Sequence, residues 1–354
     1  MNQRARRLLL ILILLLTGCG QTAQRHVQLP NAGDGKGIIH IYSARHYNAD
    51  RAIYDAFENK TGIKVVEVKG TAEELVQRMK REAAVTEAVA DLFVAVDGGV
   101  LQYAKEADVL QPIDSEEIIR QVPARLRDSE RYWVGIASRA RAIAYAKDRV
   151  KPEQLSTYEA LTGERWRGKV LVRSSGSPYN QSLLASFIAL NGEQAAENWA
   201  RGIVKNLARE PSGGDRDQIQ AIAKGIGDVA LVNTYYLGQM LTSGDPEEAE
   251  AIKQVGIYYP NQQTNGTHLN ISGIGLAKHS PNKKAALSLI AFIVSKEGQS
   301  LLAQKSFEFP VHAEAEIPEF MREWGEFRPQ ELDFALLSQF HQQATEMMQR
   351  AGWK

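Results

Sequence analysis

Four tyrosines in this chain occupy positions where a ligand would be bound. Tyr235 and Tyr236 follow an apolar run and a polar turn, where a helical pattern begins. The same order of strand, polar turn, tyrosine and helix recurs at Tyr47 and at Tyr179. Ligands of open α/β sheets bind beyond the carboxyl ends of the strands. We therefore expect the four phenol groups at ligand-binding positions.

The turn before Tyr179 contains residues that favour the start of a helix. Ser177 is a good N-cap and Pro178 a good first helical residue, so Tyr179 falls in the first turn. The helix dipole and the unpaired N–H groups there favour negative charge, and a tyrosine ligand must become a phenolate. We expect Asn233 to cap the third helix in the same way, with the Tyr235-Tyr236 pair in its first turn.

Several phenols gathered in one cleft are costly to bury unless their oxygens find partners. A hard trivalent cation fits this need, because hard oxygen ligands suit hard cations and a bound metal displaces the ligand proton. Ferric iron is the common biological case, and tyrosine is one of its known ligands. The residues alone leave a second interpretation open, in which the tyrosines are aromatic walls of a small-molecule site.

Three other polar or aromatic motifs are assigned no ligand role. The pair Tyr258-Tyr259 lies in a strand-like run, where neighbouring side chains face opposite sides, so we expect it to serve packing. His268 is expected to be structural. The cluster Asp215-Arg216-Asp217 is expected to be a solvated loop.

Composition limits the classes of protein that this chain can belong to. Its 354 residues suffice for about two domains. Lys and Arg total 42 and Asp and Glu total 42, and this zero net charge argues against a nucleic-acid-binding protein. The single cysteine, Cys19, excludes an intramolecular disulfide and cysteine-based zinc or iron–sulfur sites. No Ser/His/Asp or Cys/His arrangement can be argued from the spacings, so we expect no enzyme activity.

The N-terminus is typical of an export signal. Three arginines precede an apolar run over residues 8–16, too short to span a bilayer. The sequence Leu16-Thr17-Gly18-Cys19 resembles a bacterial lipobox, which implies a signal peptide at 1–18 and a lipid on Cys19. A polar tether over 19–36 would then join the lipid to the folded body. The alternative is an ordinary signal peptide with an incidental cysteine.

After the tether, strand-like and helix-like patterns alternate, which predicts an α/β fold with parallel strands. Two long extended runs, over 132–145 and 268–277, are expected to cross between two lobes as a two-stranded hinge. The cleft between lobes is the natural ligand site. The predicted N-lobe comprises 37–135 with 272–320, and the predicted C-lobe comprises 136–271 with 321–354. Further predictions are strands at 169–173, near Leu207 and at 228–232, helices from Pro281 onward, and a terminal helix over 331–350.

As a whole, the chain after the tether resembles the ferric-iron-binding subunits of bacterial ABC transporters, which have the type II periplasmic binding protein fold. It is similar in particular to the cyanobacterial type, whose iron ligands are largely tyrosines. The segments that carry the resemblance are Tyr42-Ser43-Ala44-Arg45-His46-Tyr47, Ser138-Arg139-Ala140-Arg141, Ser174-Ser175-Gly176-Ser177-Pro178-Tyr179-Asn180, Gly214-Asp215-Arg216-Asp217-Gln218, Asn233-Thr234-Tyr235-Tyr236 and Gly266-Thr267-His268-Leu269-Asn270-Ile271-Ser272-Gly273.

The resemblance implies site residues that can be placed by position. The implied metal ligands are Tyr47, Tyr179, Tyr235 and Tyr236. His46 matches a position where some relatives have a histidine ligand. Arg139 matches a position near the metal, where an arginine can hold an accompanying anion such as carbonate or citrate; a salt bridge across the hinge is its alternative role.

The function that follows is capture of Fe(III) in the inter-lobe cleft and delivery to a membrane permease that works with an ATPase. The protein is expected to be a periplasmic monomer anchored to a membrane through Cys19. One rival keeps the fold but binds an organic cation such as thiamine or a polyamine, with the tyrosines stacked on the cation. The other rival is a lipid-anchored hydrolase, which would require a nucleophile with a base in reach.

Overall fold

The computed structural model describes residues 37–45, 47, 49–85 and 87–354. The predicted signal peptide (1–18), the lipidation site Cys19, the tether (19–36) and the candidate ligand His46 lie outside the described residues. The account below concerns the described part of the chain.

Nine strands form one mixed sheet with the order β2-β1-β3-β9-β5-β7-β6, in which β4 also pairs with β9 and β8 with β5. The strands are β1 (Ile38–Ser43), β2 (Lys64–Lys69), β3 (Leu92–Ala95), β4 (Leu110–Gln111), β5 (Trp133–Ala146), β6 (Val170–Leu171), β7 (Val229–Asn233), β8 (Val255–Tyr258) and β9 (Leu269–Ala277). The prediction of parallel strands is only partly right. β1 is parallel to β2 and β3, and β6 to β7, but both long strands run antiparallel to their partners.

Helices cover the sheet and connect its strands. They are α1 (Ala49–Thr61), α2 (Ala72–Ala84), α3 (Gly98–Glu106), α4 (Glu116–Gln121), α5 (Pro178–Asn191), α6 (Glu193–Lys205), α7 (Asp215–Ala223), α8 (Tyr235–Leu241), α9 (Pro246–Gln254), α10 (Lys283–Val294), α11 (Lys296–Ser306), α12 (Glu319–Arg322) and α13 (Phe334–Ala351). The start of α2 is a capping box of Thr71 and Glu74, with each side chain bonded to the other's backbone N–H.

The strand β5 joins the two halves of the sheet. From Trp133 to Ala140 it pairs with β9, and from Arg141 to Ala146 it pairs with β7 and β8. Its register shifts between Gly135 and Ala137. An extended chain longer than one ordinary strand can serve two sheet halves in this way. The prediction of a long crossing strand is confirmed; the predicted lobe boundaries, which fall inside β5 and β9, stay a prediction.

The segment that follows α11 also pairs with the long strand β5. Ser138 of β5 and Phe309 exchange two backbone hydrogen bonds of 2.8 Å. The terminal helix α13 then packs against α3 on one side and against α5 and α6 on the other. Its ends were predicted within a few residues.

Two sequence predictions about this region are wrong. No strand forms near Leu207, which makes only an isolated bridge to Val170. The cluster at 215–217 is no solvated loop, since it begins α7, and Asp215 is 0% exposed. Its carboxylate is buried because it accepts hydrogen bonds from the Arg141 guanidinium (2.6 Å) and from the backbone N–H of Asn233 (2.7 Å).

Among the described residues, no single helix has the length and apolar composition needed to cross a bilayer. The helices α10 and α11 meet that criterion only when taken together, across a bend of 66°.

Candidate metal centre

Three phenol oxygens meet at one point of the fold. The Tyr47 hydroxyl donates a hydrogen bond to the Tyr235 hydroxyl at 2.9 Å, and Tyr235 donates to Tyr179 at 3.0 Å. The third side of this triangle, between the Tyr47 and Tyr179 oxygens, measures 3.4 Å. Three oxygens converge here from three separate parts of the chain. We call this group the phenol triangle.

Each phenol is positioned by the junction that the sequence indicates. Tyr47 follows β1, after the turn that begins at Ser43. Tyr179 is the second residue of α5, directly after Pro178. Tyr235 is the first residue of α8, which begins where β7 ends. The Tyr236 ring lies beside it, with ring centroids 4.3 Å apart.

Neither of the two predicted N-caps, Ser177 and Asn233, forms the expected capping hydrogen bond. Ser177 takes the N-cap position of α5, but its side chain makes no capping hydrogen bond. The N-cap of α8 is Thr234, so the prediction that Asn233 caps this helix is wrong. Asn233 is instead the last residue of β7, and its side-chain oxygen accepts a hydrogen bond from Arg141 at 3.3 Å.

The phenol triangle is closed off from solvent. Tyr47 is 8%, Tyr179 5% and Tyr235 0% exposed. Phe307 and Met321 form a buried apolar cluster with Tyr47 and Tyr235 and cover them. Water is thereby excluded, which strengthens any electrostatic interaction at the phenol oxygens.

Burial opposes ionisation of Tyr47, Tyr235 and Tyr236 when no cation is present. Burial raises the pKa of Tyr47 well above its usual value, and the Glu308 carboxylate raises it further. The pKa of Tyr235 is also raised, by burial first and then by its neighbours Tyr47 and Tyr179. Burial raises the pKa of Tyr236 to about 12. A phenolate at these positions therefore needs positive charge beside it.

Guanidinium groups supply part of that positive charge around Tyr47. The Arg45 guanidinium lies 4.2 Å from the centre of the Tyr47 ring. It donates to Asp50 at 2.9 Å and to Glu308 at 2.7 Å, and all three side chains are buried. Arg139 and Arg45 both lower the pKa of Tyr47, against the effect of burial.

Arg139 itself is held tightly within the protein. One of its terminal nitrogens donates to the Val96 carbonyl, and the other donates to the Ser272 hydroxyl at 3.3 Å and lies 3.7 Å from Glu308. The predicted ion-pair role of this residue is thus present in the structure. The predicted anion-holding role stays a prediction.

A second group of arginines surrounds the Tyr179 ring. The guanidinium centres of Arg173, Arg139 and Arg141 lie 5.2, 5.4 and 5.9 Å from the ring centroid. Arg141 is fixed by Asp215 at 2.6 Å and by the Asn180 side chain at 2.8 Å. Three guanidinium groups thus lie within 6 Å of the Tyr179 ring centroid.

Tyr259 and His268, for which the sequence predicts structural roles, are both buried. Tyr259 stacks on Phe327 with ring centroids 4.5 Å apart. His268 is buried on the approach to β9, where its ring bridges Ser182 at 3.2 Å and Gln330 at 3.0 Å. Tyr259 and His268 thus make the structural contacts that the sequence predicts.

The donor set indicates which metal would fit. Among the described residues, no group of three His, Cys, Asp or Glu side chains is arranged to hold a metal ion. The candidate ligands are therefore phenol oxygens, which are hard donors and suit a hard cation. The arrangement can exchange phenol protons for one such cation, because a ligand must be deprotonated to bind.

The sequence assigns no supporting role to several polar residues that surround the site. Arg45, Arg141, Asp215 and Ser272 belong to motifs quoted above, yet their pairing partners are distant in the chain. No local sequence pattern indicates a role for Glu308, because its partner Arg45 lies 263 residues earlier in the chain. Only the tertiary structure brings them together.

Most of the chain matches the model of a known protein family. Residues 87–336 match the model of a family described as bacterial extracellular solute-binding protein. The chain belongs to this family of solute-binding proteins.

Relatives within the family are similar over almost their whole length. Iron uptake protein A1 of Synechocystis is 42% identical over 340 residues, which cover 96% of this chain and 93% of the relative. Iron uptake protein A2 of the same organism is 38% identical over 95% of this chain and 96% of its own. These names describe iron uptake proteins rather than enzymes.

Solved structures confirm the two-lobed type II fold. The Trichodesmium protein IdiA (FutA), in complex with iron and citrate, superposes with a TM-score of 0.84 at 43% identity and covers 90% of this chain and 100% of its own. The ferric binding protein from Campylobacter jejuni gives a TM-score of 0.83 at 37% identity, over 89% of this chain and 100% of its own. The solute-binding family and its fold were thus correctly identified from the sequence.

Proposed function

We propose that this solute-binding protein captures ferric iron at the phenol triangle and hands it to an ABC transporter. The single observation that carries the proposal is the convergence of the Tyr47, Tyr179 and Tyr235 oxygens within 3.4 Å of one another. Tyr236, beside Tyr235, is proposed as a fourth ligand. The relatives named above for iron uptake and ferric binding support this choice of metal.

Iron would replace the protons of the phenols that bind it, within a buried site. Each phenol that binds loses its proton, so the three phenolates of the phenol triangle balance the three charges of Fe(III). A fourth phenolate at Tyr236 would be offset in part by the Arg173 guanidinium, which lowers the pKa of that tyrosine. The guanidinium groups of Arg45 and Arg139 lower the free energy of the phenolates before the metal is fully bound. The protein distinguishes iron from softer metals because it offers hard oxygen donors.

An organic cation fits the described structure less well. The cavity that Tyr179 lines has a volume of about 10 Å³. Sites for organic ligands usually measure roughly 300–1,000 Å³. In this closed conformation the tyrosines hydrogen-bond to each other rather than form walls around an open space. This observation favours iron over thiamine or a polyamine.

Closure of the lobes and delivery to a permease are the next steps of the proposal. Fe(III) would enter with the lobes apart, and phenolates from separate chain segments would complete the site as the lobes close. A ligand that contacts both sides shifts the open–closed equilibrium by its differential affinity. The closed form would then dock on a permease that works with an ATPase. An accompanying anion such as citrate would share the iron, as the iron and citrate in the Trichodesmium complex suggest.

The membrane anchor is a separate part of the proposal. Lipid attached to Cys19 would hold the protein at a membrane on the periplasmic side. Metabolic labelling with a radioactive fatty acid tests this attachment. Wild-type protein should incorporate label, and Cys19→Ala should not. Equal labelling of both would remove the anchor from the proposal.

Iron binding itself is tested by titrating the purified, iron-free protein with ferric nitrilotriacetate. Phenolate coordination should produce a visible charge-transfer band that saturates at one iron per protein. Thermal melting in parallel samples with thiamine or spermidine gives the comparison, since a ligand that binds the folded state raises the melting temperature. Stabilisation by thiamine or spermidine without any iron-dependent band would contradict the proposal and favour the organic cation.

A further inference from the structure

The helices α5 and α8, which present three of the candidate ligands, begin without a side-chain cap. Ser177 at the N-cap of α5 and Thr234 at the N-cap of α8 make no capping hydrogen bond within the described structure. A capping side chain normally satisfies backbone N–H groups at a helix start and fixes its geometry. These two helix starts, which carry Tyr179 and the Tyr235-Tyr236 pair, are held by other interactions.

One buried ion pair is bonded to the start of α5. The Arg141 guanidinium donates to Asp215 Oδ2 at 2.6 Å, and the two side chains are 2% and 0% exposed. Arg141 Nη2 also donates at 2.8 Å to Oδ1 of Asn180, the residue next to Tyr179. The Asn180 amide in turn donates to the Arg173 carbonyl at 2.9 Å. The turn before α5 and its first residues are thus tied to the ion pair.

The same ion pair fixes the strand end that leads to α8. Asp215 Oδ2 accepts a hydrogen bond from the backbone N–H of Asn233 at 2.7 Å. Arg141 Nη1 donates to the Asn233 side-chain oxygen at 3.3 Å. Asn233 is the last residue of β7, and α8 begins two residues later at Tyr235. A single carboxylate oxygen therefore connects the approach to Tyr235 with the arginine that holds the start of α5.

The other oxygen of this carboxylate lies near a further cation. Asp215 Oδ1 is 3.7 Å from Arg173 Nη1. The Arg173 guanidinium lies 5.2 Å from the centroid of the Tyr179 ring. Removal of the carboxylate would take the counter-charge from the buried Arg141 and from Arg173 together, and an uncompensated buried charge is strongly unfavourable. The surroundings of Tyr179 thus depend on Asp215 through two arginines.

We propose that Asp215 is a positioning residue for the metal site, which holds Tyr179 and the Tyr235-Tyr236 pair in one arrangement through Arg141 and Asn233. The inference rests on the proposed function, because these tyrosines are its candidate ligands. Asp215 acts through its neighbours and is not itself a ligand. Groups that orient metal ligands typically change metal affinity by roughly 10–100-fold when they are removed.

A crystal structure of iron-free Asp215→Ala tests the positioning directly. In the wild-type protein the Tyr235 hydroxyl donates to the Tyr179 hydroxyl at 3.0 Å. We expect this hydrogen bond to be lost in the variant, because α5 and α8 no longer share an anchor. An unchanged distance between the two oxygens would overturn the inference. Since no iron is involved, that result would leave the iron-binding proposal untouched.

Iron titration gives a second readout in wild-type protein that shows the charge-transfer band. Asp215→Ala should lower the iron affinity by roughly 10–100-fold and weaken the band at saturation, since fewer phenolates reach the metal. Asp215→Asn keeps an acceptor for Arg141 and for the Asn233 N–H, so it should recover most of both. A merely structural residue would change the melting temperature but not the band of folded, iron-saturated protein.

Glu248→Ala is the matched control. Glu248 is also buried, and its carboxylate accepts a hydrogen bond at 2.5 Å from Arg216 of α7. This variant should keep the wild-type band and affinity. A wild-type band and affinity in Asp215→Ala, or an equal loss in Glu248→Ala, would overturn the inference.

Arg141→Lys decides the question if Asp215→Ala does not fold. The lysine keeps the positive charge, but its single ammonium group cannot span Asp215 and Asn180 as the guanidinium fork does. We expect the same loss of band and affinity as for Asp215→Ala. Wild-type values in folded Arg141→Lys would overturn the inference.

Discussion

The hydroxyl oxygens of Tyr47 and Tyr235 lie 2.9 Å apart, although 188 positions separate the two residues in the chain. Their rings meet edge to face with centroids 5.4 Å apart. This contact can exist only when the turn after β1 and the start of α8 are brought together. The hydrogen bond therefore depends on the packing of these two segments against each other.

Removal of one phenol oxygen should weaken iron binding without unfolding the protein. In Tyr235→Phe the ring keeps its contacts with Tyr47 and Tyr236, but one candidate ligand is lost. We expect the affinity for ferric iron to fall by at least tenfold and the charge-transfer band to shift or weaken. Tyr259→Phe is the matched control, because its buried hydroxyl has no hydrogen-bond partner among the described residues. Equal iron affinity in both variants would contradict the assignment.

Iron affinity should rise with pH. The pKa values of Tyr47 and Tyr235 lie well above their usual range, so both phenols carry protons at neutral pH in the iron-free protein. Iron must displace these protons, and the affinity then grows about tenfold per pH unit for each proton released. Competition with nitrilotriacetate between pH 6 and 8, corrected for the chelator's own protonation, measures the slope. A slope of zero would mean that phenolates do not bind the metal.

The sequence predicts the position of each phenol because the signal is local. An apolar run, a polar turn and a helix start are visible within about ten residues around Tyr47, Tyr179 and Tyr235. The same logic predicts the long strand β5 and the start of α5. What surrounds the phenols carries no such local signal. Glu308 contacts Arg45 from 263 positions further along the chain, and no pattern near either residue indicates this pairing.

Two errors of prediction have the same physical cause. The sequence predicts Asp215 in solvent because charged clusters usually lie there, but Arg141 provides a buried partner that offsets its desolvation. The sequence predicts Asn233 as a helix cap, but Arg141 donates a hydrogen bond to its side chain instead. In both cases a tertiary partner outweighs a local preference.

The protein should lose stability in acid through His268. Burial lowers the pKa of this ring to about 4, while Asp97 raises it and Arg139 and Arg141 lower it. The stability that the neutral ring contributes is present above its unfolded pKa of about 6.5 and is lost as the pH falls towards 4, by about 3 kcal/mol in total.

Urea unfolding at pH 7.5 and pH 5.0 measures this loss. His268→Gln cannot gain a proton, and its amide can still bond to a neighbour, so its stability should change less between the two pH values. The exposed His341 provides the control, since His341→Gln should leave the wild-type pH dependence intact. Identical pH dependence in wild type and His268→Gln would contradict the assignment.

A tight contact between Phe307 and Gly238 should control closure. Phe307 has a left-handed backbone (φ 61°), which is strained for an aromatic residue. A Cβ atom on Gly238 would lie 2.5 Å from the Phe307 ring, and Gly238 belongs to the helix that starts with Tyr235. Gly238→Ala should therefore destabilise the closed form by roughly 1–3 kcal/mol and accelerate iron release.

Stopped-flow transfer of iron to a strong chelator measures that release rate. Adding Phe307→Ala to Gly238→Ala should recover part of the loss, because the clash is removed. Gly176→Ala serves as control, since the nearest atom to its added Cβ is 3.7 Å away. Additive effects of the two substitutions would show that the contact does not act as a unit.

The most direct measurement is X-ray diffraction from crystals of the iron-loaded protein, recorded on both sides of the iron absorption edge. The account predicts one anomalous peak within bonding distance of the Tyr47, Tyr179 and Tyr235 oxygens, where the iron-free protein has hydrogen bonds of 2.9 and 3.0 Å. A peak elsewhere in the chain, or iron-loaded crystals in which these phenols still bond to each other, would contradict it.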